Sequence, residues 1–263
     1  MARGSLSARG SFIGGVGAVL LVVAAAAIWW MRHPAAGAAE GRRVQGGTEV
    51  SGGGDGGSRQ GRRLPEGTDV AAGDGGSVRD AKRTGGLAYA SGDFEAARAS
   101  YEQAIAGRPD DADALNNLGQ ALVRLGRFEE AILRFERAIA LSPDTWAYHF
   151  NVAVAHGQSG RWDRAADEYR EAARIFPDDY ATAYNLGLAL HNIGDDQAAI
   201  SEYQRAILLA PGEPSFHVAL GNSLEKIGRT DDAVREFRIF LDMDPLAAEA
   251  VNLKAHVAAL AVK

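Results

Sequence analysis

The sequence predicts an all-α protein: a solenoid of five helical hairpins with a C-terminal capping helix, preceded by one transmembrane helix and a disordered linker. Two observations carry this prediction. Several residue types recur every 34 positions through the second part of the chain, and one uncharged apolar segment stands near the start, ahead of a glycine-rich stretch. A fixed period of this length is typical of stacked repeats.

Composition divides the chain at about residue 77. Of its 32 glycines, 19 lie in residues 1–77, and that part carries eight arginines and six acids for a charge of +2. The remaining residues carry 20 basic and 28 acidic side chains, for a charge of -8. An acidic folded part argues against a nucleic-acid partner, which needs clustered Lys and Arg. Without cysteine, disulfides, thiol chemistry and Cys-ligated zinc are excluded.

The amino end is predicted to hold a membrane anchor. A short basic tail, residues 1–11, precedes residues 12–31, which are uncharged and would span roughly 30 Å as a helix. Trp29 and Trp30 stand at the end of this segment, where indoles favour the headgroup level. A cleaved signal peptide is the alternative, since residues 36–38 offer a small-x-small site. We expect a single-pass anchor that leaves the rest of the chain outside the cytoplasm.

Residues 32–77 are predicted to be a disordered Gly/Arg-rich linker, because they contain glycine runs and few large apolar side chains. A glycine-rich coil of this length has a root-mean-square reach of roughly 35–40 Å. Its arginines could attract anionic lipid headgroups, or they could simply solvate a spacer. In either case the linker would tether the folded part near the membrane.

The 34-residue period defines five units, residues 78–111, 112–145, 146–179, 180–213 and 214–247. In each, a first helix carries a small residue that permits close packing, and a glycine ends it in the left-handed region. The second helix presents an alanine and an aromatic on one face, and a proline stops it. The recurring residues are Pro109, Pro143, Pro177, Pro211 and Pro245; Gly92, Gly126, Gly160, Gly194 and Gly228; and Tyr101, Phe135, Tyr169, Tyr203 and Phe237.

These motifs resemble the tetratricopeptide repeat (TPR) family, in particular the stretches Asn116-Asn117-Leu118-Gly119 and Tyr184-Asn185-Leu186-Gly187. The resemblance covers residues 78–247. It implies a right-handed α-solenoid whose first helices line a concave groove, and it implies that the groove binds a protein or peptide segment.

The two ends of the repeat array depart from the pattern. In the first unit Thr84 stands where an apolar residue is expected, and Gly85 and Gly86 each cost about 1 kcal/mol in a helix. We therefore expect the first helix of that unit to be the least stable. Residues 248–263 are predicted to form a capping helix over the fifth unit. Its apolar stripe would consist of Leu246, Ala250, Leu253, Val257 and Leu260.

No pattern of residues indicates catalysis, a cofactor or a metal. The histidines are scattered over different predicted helices and none forms an HExxH pair. His149 and His156 are seven apart and so share a helix face, where a packed pair is the simpler interpretation than a metal site. There is no phosphate-binding loop and no nucleophile elbow. The sequence thus predicts a protein that is not an enzyme.

The register of the TPR family places candidate groove residues in units three and four. Phe150, Val154, Tyr184 and Leu188 would form an exposed aromatic-aliphatic patch, the kind of surface that marks a partner site. Packing alone is the alternative explanation for the aromatic residues. At the sixth position of the first helices, Asn117, Asn151 and Asn185 recur and would form a ladder that bonds a peptide main chain.

That ladder resembles the one in the repeats of O-linked N-acetylglucosamine transferases, whose catalytic domain has no counterpart here. The chaperone-binding clamp of other TPR proteins is matched at Lys82 but not at Gly86 or Ala147, so a C-terminal carboxylate ligand is not expected. The sequence predicts a membrane-tethered adaptor that binds a protein segment. The alternatives are a self-associating scaffold and an accessory subunit that positions substrate for a separate enzyme.

Overall fold

The structure, a computed structural model, describes residues 74–261, which form eleven α-helices and no strands. Ten of the helices pair into five antiparallel hairpins, and the last one stands alone. The helices are α1 Asp74–Ala90, α2 Phe94–Gly107, α3 Ala112–Arg124, α4 Phe128–Leu141, α5 Trp146–Gln158, α6 Trp162–Ile175, α7 Tyr180–Ile193, α8 Asp196–Leu209, α9 Pro214–Lys226, α10 Thr230–Met243 and α11 Ala250–Leu260.

A glycine in the left-handed region closes the first helix of each hairpin, as the sequence predicts. Their φ values lie between 74° and 87°, a conformation that a residue with a Cβ adopts only at a cost. The turn that follows is short and sends the second helix back along the first. The five glycines are Gly92, Gly126, Gly160, Gly194 and Gly228.

In four of the five hairpins a glycine of the first helix lies against the aromatic ring of the second. A Cβ added to Gly119 would stand 2.5 Å from Cε1 of Phe135, and one added to Gly221 would stand 2.4 Å from Cε1 of Phe237. Phe135 and Phe237 are themselves fully buried. The glycine and the ring therefore set how closely the two helices of a unit approach.

Neighbouring units stack through a continuous core. Each second helix contacts the first helix of the next unit, and the first helices of units two and three, and of units four and five, also contact each other. The alanine that begins the buried face of the second helix is fully buried in every unit: Ala97, Ala131, Ala165, Ala199 and Ala233. Each unit thus completes the core of the one before it.

Helix α1 begins at Asp74, four residues before the predicted start of the first unit and inside the predicted linker. Val78 and Ala81 are buried in a cluster with Ala104 and Ala114, so they anchor the helix. Once that turn is fixed, adding one more turn ahead of it costs little. The predicted tail, anchor and remaining linker lie in residues 1–73, outside the described residues.

The capping helix is present as α11, with one correction to its predicted apolar stripe. Ala250, Val257 and Leu260 are buried, whereas the side chain of Leu246 is 93% exposed. Pro245 stops the preceding helix, and the chain needs a turn over residues 245–249 before α11 can begin. Leu246 lies in that turn and therefore cannot join the helical face.

None of the helices between residues 74 and 261 combines the length and the apolar character that crossing a membrane requires.

Candidate functional site

The first helices of the units, α1, α3, α5, α7 and α9, form one side of the stack, which we call the wall. The first helices of units two and three, and of units four and five, contact each other, as expected for helices on the inner side of a curved stack. Helices α5 and α7 contain no Asp, Glu, Lys or Arg, whereas seven of the 14 residues of α6, a second helix, are charged. The middle of the wall is therefore electrically neutral and the outer side is not.

The prediction of an exposed aromatic-aliphatic patch is wrong for three of its four residues. The side chains of Phe150, Tyr184 and Leu188 are only 7%, 2% and 4% exposed. Val154, on the same helix as Phe150, is partly exposed. What these helices offer to a ligand is therefore Val154 and their other partly exposed side chains, among them Trp146, Tyr180 and Asn185.

Ring packing explains the burial of the two aromatics. The ring of Phe150 lies 5.5 Å from that of Tyr169, within its own hairpin. Tyr184 lies 5.8 Å from Tyr203 in its hairpin and 4.7 Å from Phe216 in the next unit. The fifth position of the first helix thus belongs to the core, where ring pairs stabilise the contact between units.

The predicted asparagine ladder does not form as three stacked rungs. Asn151 is buried and its amide donates to Oδ1 of Asn116, 2.8 Å away, on the neighbouring first helix. Asn116 in turn donates to Oδ1 of Asn117 at 3.3 Å. Asn185 donates to the carbonyl oxygen of Ala181 in its own helix. Asn117 and Asn185 remain partly exposed on the wall.

A polar network joins the first three units at one end of the wall. Nζ of Lys82 lies 2.9 Å from Oδ1 of Asp111, which also caps α3 through the N–H of Ala114. Tyr148 donates to Asp113 at 2.7 Å. Burial would raise the pKa of Asp111, but the hydrogen bonds from Lys82 and Ala114 outweigh it and lower the pKa.

A second network, which the sequence analysis missed, joins units four and five. Nδ1 of His191 lies 2.6 Å from Oδ1 of Asp196 and 2.9 Å from Oγ of Ser223. Nζ of Lys226 lies 2.9 Å from Oδ2 of Asp196 and donates to the carbonyl oxygen of His191 at 3.2 Å. Asp196 is 4% exposed and Ser223 is fully buried. Three helices therefore hold this network.

The serine, histidine and aspartate of this network do not form a nucleophile relay. In such a relay the carboxylate and the hydroxyl face opposite nitrogens of the imidazole. Here both oxygens face the same nitrogen, Nδ1, and the hydroxyl is buried. The geometry fixes the orientation of the ring instead.

The other histidines pack individually. Nδ1 of His149 lies 2.8 Å from Oε2 of Glu168 and Nδ1 of His217 lies 2.7 Å from Oε2 of Glu236, each within one hairpin. His156 is buried, and burial lowers its pKa. Among residues 74–261 no group of three or more His, Asp or Glu side chains is arranged to hold a metal ion.

Comparisons with known proteins agree with this architecture. The tetratricopeptide repeat model matches residues 84–145, 116–180, 151–214 and 218–262, about two thirds of the chain. No curated protein sequence matches the chain significantly.

Among solved structures, the chain is similar to MamA, with a TM-score of 0.61 and 22% identity over 65% of this chain and 93% of that one. It is also similar to YrrB, described as a TPR protein with an unusual peptide-binding site, with a TM-score of 0.60 and 17% identity over 71% of this chain and 100% of that one. A thermophilic TPR protein of Thermus thermophilus, TTC0263, gives a TM-score of 0.51 and 21% identity, over 71% and 100%.

Proposed function

This chain belongs to the tetratricopeptide repeat family, and from that premise we propose that it is a membrane-tethered adaptor whose wall binds a segment of another protein. The fold is one of protein-interaction scaffolds. The anchor is residues 12–31, and the binding surface is the part of the wall that α3, α5 and α7 provide.

One observation carries the proposal, which is the distribution of charge between the two sides of the stack. The second helix α6 carries ion pairs along its length, Arg170 with Asp167 and Arg174 with Glu171. The 27 residues of α5 and α7 include none of the four charged types. A neutral surface between charged ones resembles the core of a protein interface, which is depleted in charge.

The roles of the candidate residues follow from their burial. Asn117, Val154 and Asn185 are partly exposed, so they would touch the ligand. Phe150, Asn151, Tyr184 and Leu188 lie beneath them and would hold the wall in shape. YrrB, which shares the fold, is described as having a peptide-binding site, and this supports peptide binding as a use of the fold.

A photocrosslinker tests the wall directly. Val154 on α5 and Leu133 on α4 are both accessible, but only Val154 lies on the wall. We expect a photoreactive residue at position 154 to capture a discrete partner in membranes, and the same residue at position 133 to capture none. Val154→Glu should lower recovery of that partner about tenfold, whereas Leu133→Glu should leave it unchanged. Equal capture from both positions would exclude the wall as the binding surface.

Membrane tethering is tested by fractionation. The full chain should resist alkaline extraction of membranes, because about 20 apolar residues suffice to span a bilayer. A chain without residues 12–31 should be extracted. Protease added from outside the cytoplasm should then cleave the folded part of the full chain. Release of a shortened native product from the membrane would instead support a cleaved signal peptide.

A further inference from the structure

The network between units four and five includes polar side chains at two positions that are apolar in most other units, the seventeenth (apolar in units one to three) and the tenth (apolar in units one to four). At the seventeenth position of the units the first three carry Phe94, Phe128 and Trp162, and the fourth carries Asp196. At the tenth position, alanine in units two to four gives way to Ser223 in unit five, and both residue types are fully buried there. An aromatic residue at the seventeenth position and an alanine at the tenth are therefore the apolar residues with which this junction can be compared.

That replacement is unfavourable for stability alone. A buried carboxylate seldom matches well-packed apolar side chains of similar size, because it loses its water; here Asp196 is buried, whereas its partner Lys226 remains 49% exposed. Burial would raise the pKa of Asp196, but the hydrogen bonds from Lys226 and His191 outweigh it, so the pKa is lowered and the carboxylate is ionised. Polar side chains at positions where the repeat otherwise buries apolar ones are expected at functional sites, where stability is given up for function.

What the network achieves is a fixed imidazole. A carboxylate can only accept hydrogen bonds, so Nδ1 of His191 must carry a proton to bond Asp196. In the neutral ring the lone pair then lies on Nε2. Within residues 74–261, Nε2 has no hydrogen-bond partner and is not among the buried unpaired atoms, and the side chain is 20% exposed. The acceptor therefore faces solvent.

The surroundings of His191 indicate the chemistry that this acceptor would meet. His191 is followed by Asn192, which is partly exposed, and Asn222, also partly exposed, precedes Ser223 on α9. The neighbouring charges are already paired, Asp196 with Lys226 at 2.9 Å and Glu225 with His256 at 2.7 Å. A neutral hydrogen-bond donor therefore fits the acceptor at Nε2 better than an ion does.

We propose that His191 is a ligand-reading residue of the wall, which accepts a hydrogen bond through Nε2 from a main-chain N–H of the bound segment. Asp196, Ser223 and Lys226 are positioning residues that act through the ring. This inference rests on the proposed function, because it assumes that a protein segment occupies the wall.

The orientation of the ring is tested without a ligand. In the full-length chain labelled with 15N-histidine in detergent micelles, at a pH where imidazoles are neutral, the resonances of His191 should show protonated Nδ1 and unprotonated Nε2. The resonances of His191 are identified as those that are absent from the spectrum of the His191→Gln variant. Asp196→Phe, which restores the aromatic of units one to three, should abolish this preference. A protonated Nε2 in the unmodified chain would overturn the proposal.

Binding is tested with peptides selected on the full-length chain from a displayed library of random dodecapeptides. Peptides that bind the wall are recognised because Val154→Glu weakens their binding. These peptides should bind His191→Phe at least about tenfold more weakly than the unmodified chain, as expected for one lost hydrogen bond. His191→Gln, whose side-chain carbonyl can replace Nε2, should recover most of the affinity. Asp196→Phe should unfold at the same or a higher temperature and yet bind as weakly as His191→Phe.

The outcomes separate the two proposals. If selected peptides bind His191→Phe and the unmodified chain equally, His191 does not accept a hydrogen bond from the ligand. The proposed function would remain valid in that case. If no selected peptide is weakened by Val154→Glu, both the proposed function and the role of His191 are overturned, even if the resonances of His191 show protonated Nδ1 and unprotonated Nε2. A lower unfolding temperature for Asp196→Phe would mean that the network serves stability, and this too would overturn the proposal.

Discussion

The two ends of the repeat array stop the stack in different ways. At the amino end α1 carries polar residues where later units bury apolar ones. Asp80 and Thr84 are exposed, whereas Ala114 and Leu118, at the same positions of the second unit, are buried. At the carboxyl end an additional helix, α11, covers the last hairpin.

An open stack of repeats can therefore end in more than one way. The amino end depends on substitutions and on the polar network around Asp111, so its stability should respond to acid and to single charges. The carboxyl end depends on apolar burial by α11, so it should respond mainly to truncation. Four changes to the chain would test this contrast between the two ends.

Removal of residues 248–263 should have the largest effect. Val257 and Leu260 are buried by packing of α11, and each contributes about 1.5–3 kcal/mol. The ring of Phe237, which lies 5.8 Å from that of His256 in α11, would lose this neighbour. We expect a loss of about 4 kcal/mol, measured by thermal unfolding, together with aggregation seen by light scattering.

Substitutions within α11 provide the matched control for that truncation. Val257→Ser, at a buried position, should reproduce part of the loss, whereas Val251→Ser should not, because Val251 is 75% exposed. Unchanged melting and solubility in the truncated chain would show that α11 does not act as a cap.

Asp111→Ala should cost about 2 kcal/mol at neutral pH, since it removes the cap of α3 and leaves Lys82 without its carboxylate. Asp111→Asn keeps a capping oxygen and should cost less. The folded pKa of Asp111 is lowered, so the ion pair contributes above pH ~4 and its contribution is lost as pH falls through the folded pKa. Urea titrations from pH 7 downward should therefore converge for the variants and the unmodified chain.

Gly85→Ala should destabilise the amino end by about 1–2 kcal/mol. The new Cβ would stand 2.8 Å from Cε1 of Tyr101, a buried ring with little room to move. That overlap costs more than the gain in helix propensity returns. The comparison is made in urea, and a stabilised variant would contradict the close packing of α1 on α2.

Gly86→Ala, one residue later, should have the smallest effect and the opposite sign. Here the new Cβ meets only Oη of Tyr101, at 3.8 Å, so the helix gains propensity without overlap. We expect a gain of up to about 1 kcal/mol, and a rise in melting temperature of a few degrees. A loss comparable to that of Gly85→Ala would show that α1 tolerates no side chain on either face.

The fold could be predicted because its determinants are periodic and local. The left-handed glycines Gly126 and Gly194, and the close pairs of Gly119 with Phe135 and Gly187 with Tyr203, recur at a multiple of the 34-residue period. Each acts within one hairpin, so the sequence alone identifies both partners. The start of α1 and the position of Leu246 were less predictable, because both lie at ends where no neighbouring unit fixes the register.

The wall, the proposed binding surface, could be predicted only as a side of the stack. Register places Phe150 and Tyr184 on that side, but whether they are exposed depends on Tyr169, Tyr203 and Phe216, which reach them from other helices. Likewise Asn151 bonds Asn116 and not its counterpart one period away, Asn117. Several side chains lie within reach in each case. The sequence pattern does not say which of them makes the contact or the hydrogen bond.

The network at His191 could have been found from the same alignment of units. Asp196 follows three aromatics at the seventeenth position, and Ser223 follows three alanines at the tenth. Their coincidence in space follows from stacking, because α8 and α9 belong to adjacent units. Departures from a repeat are therefore as informative as its consensus.

The register of α11 has a consequence for how such a protein could be lengthened. A sixth unit would begin at residue 248, so Ala250 and Val257 occupy its third and tenth positions, and Ala255 occupies the position of the small residue. The side of α11 at Val251 and Ala255 is exposed. The terminal helix is thus already half of another module, and a grafted second helix would extend the array without any redesign of its existing end.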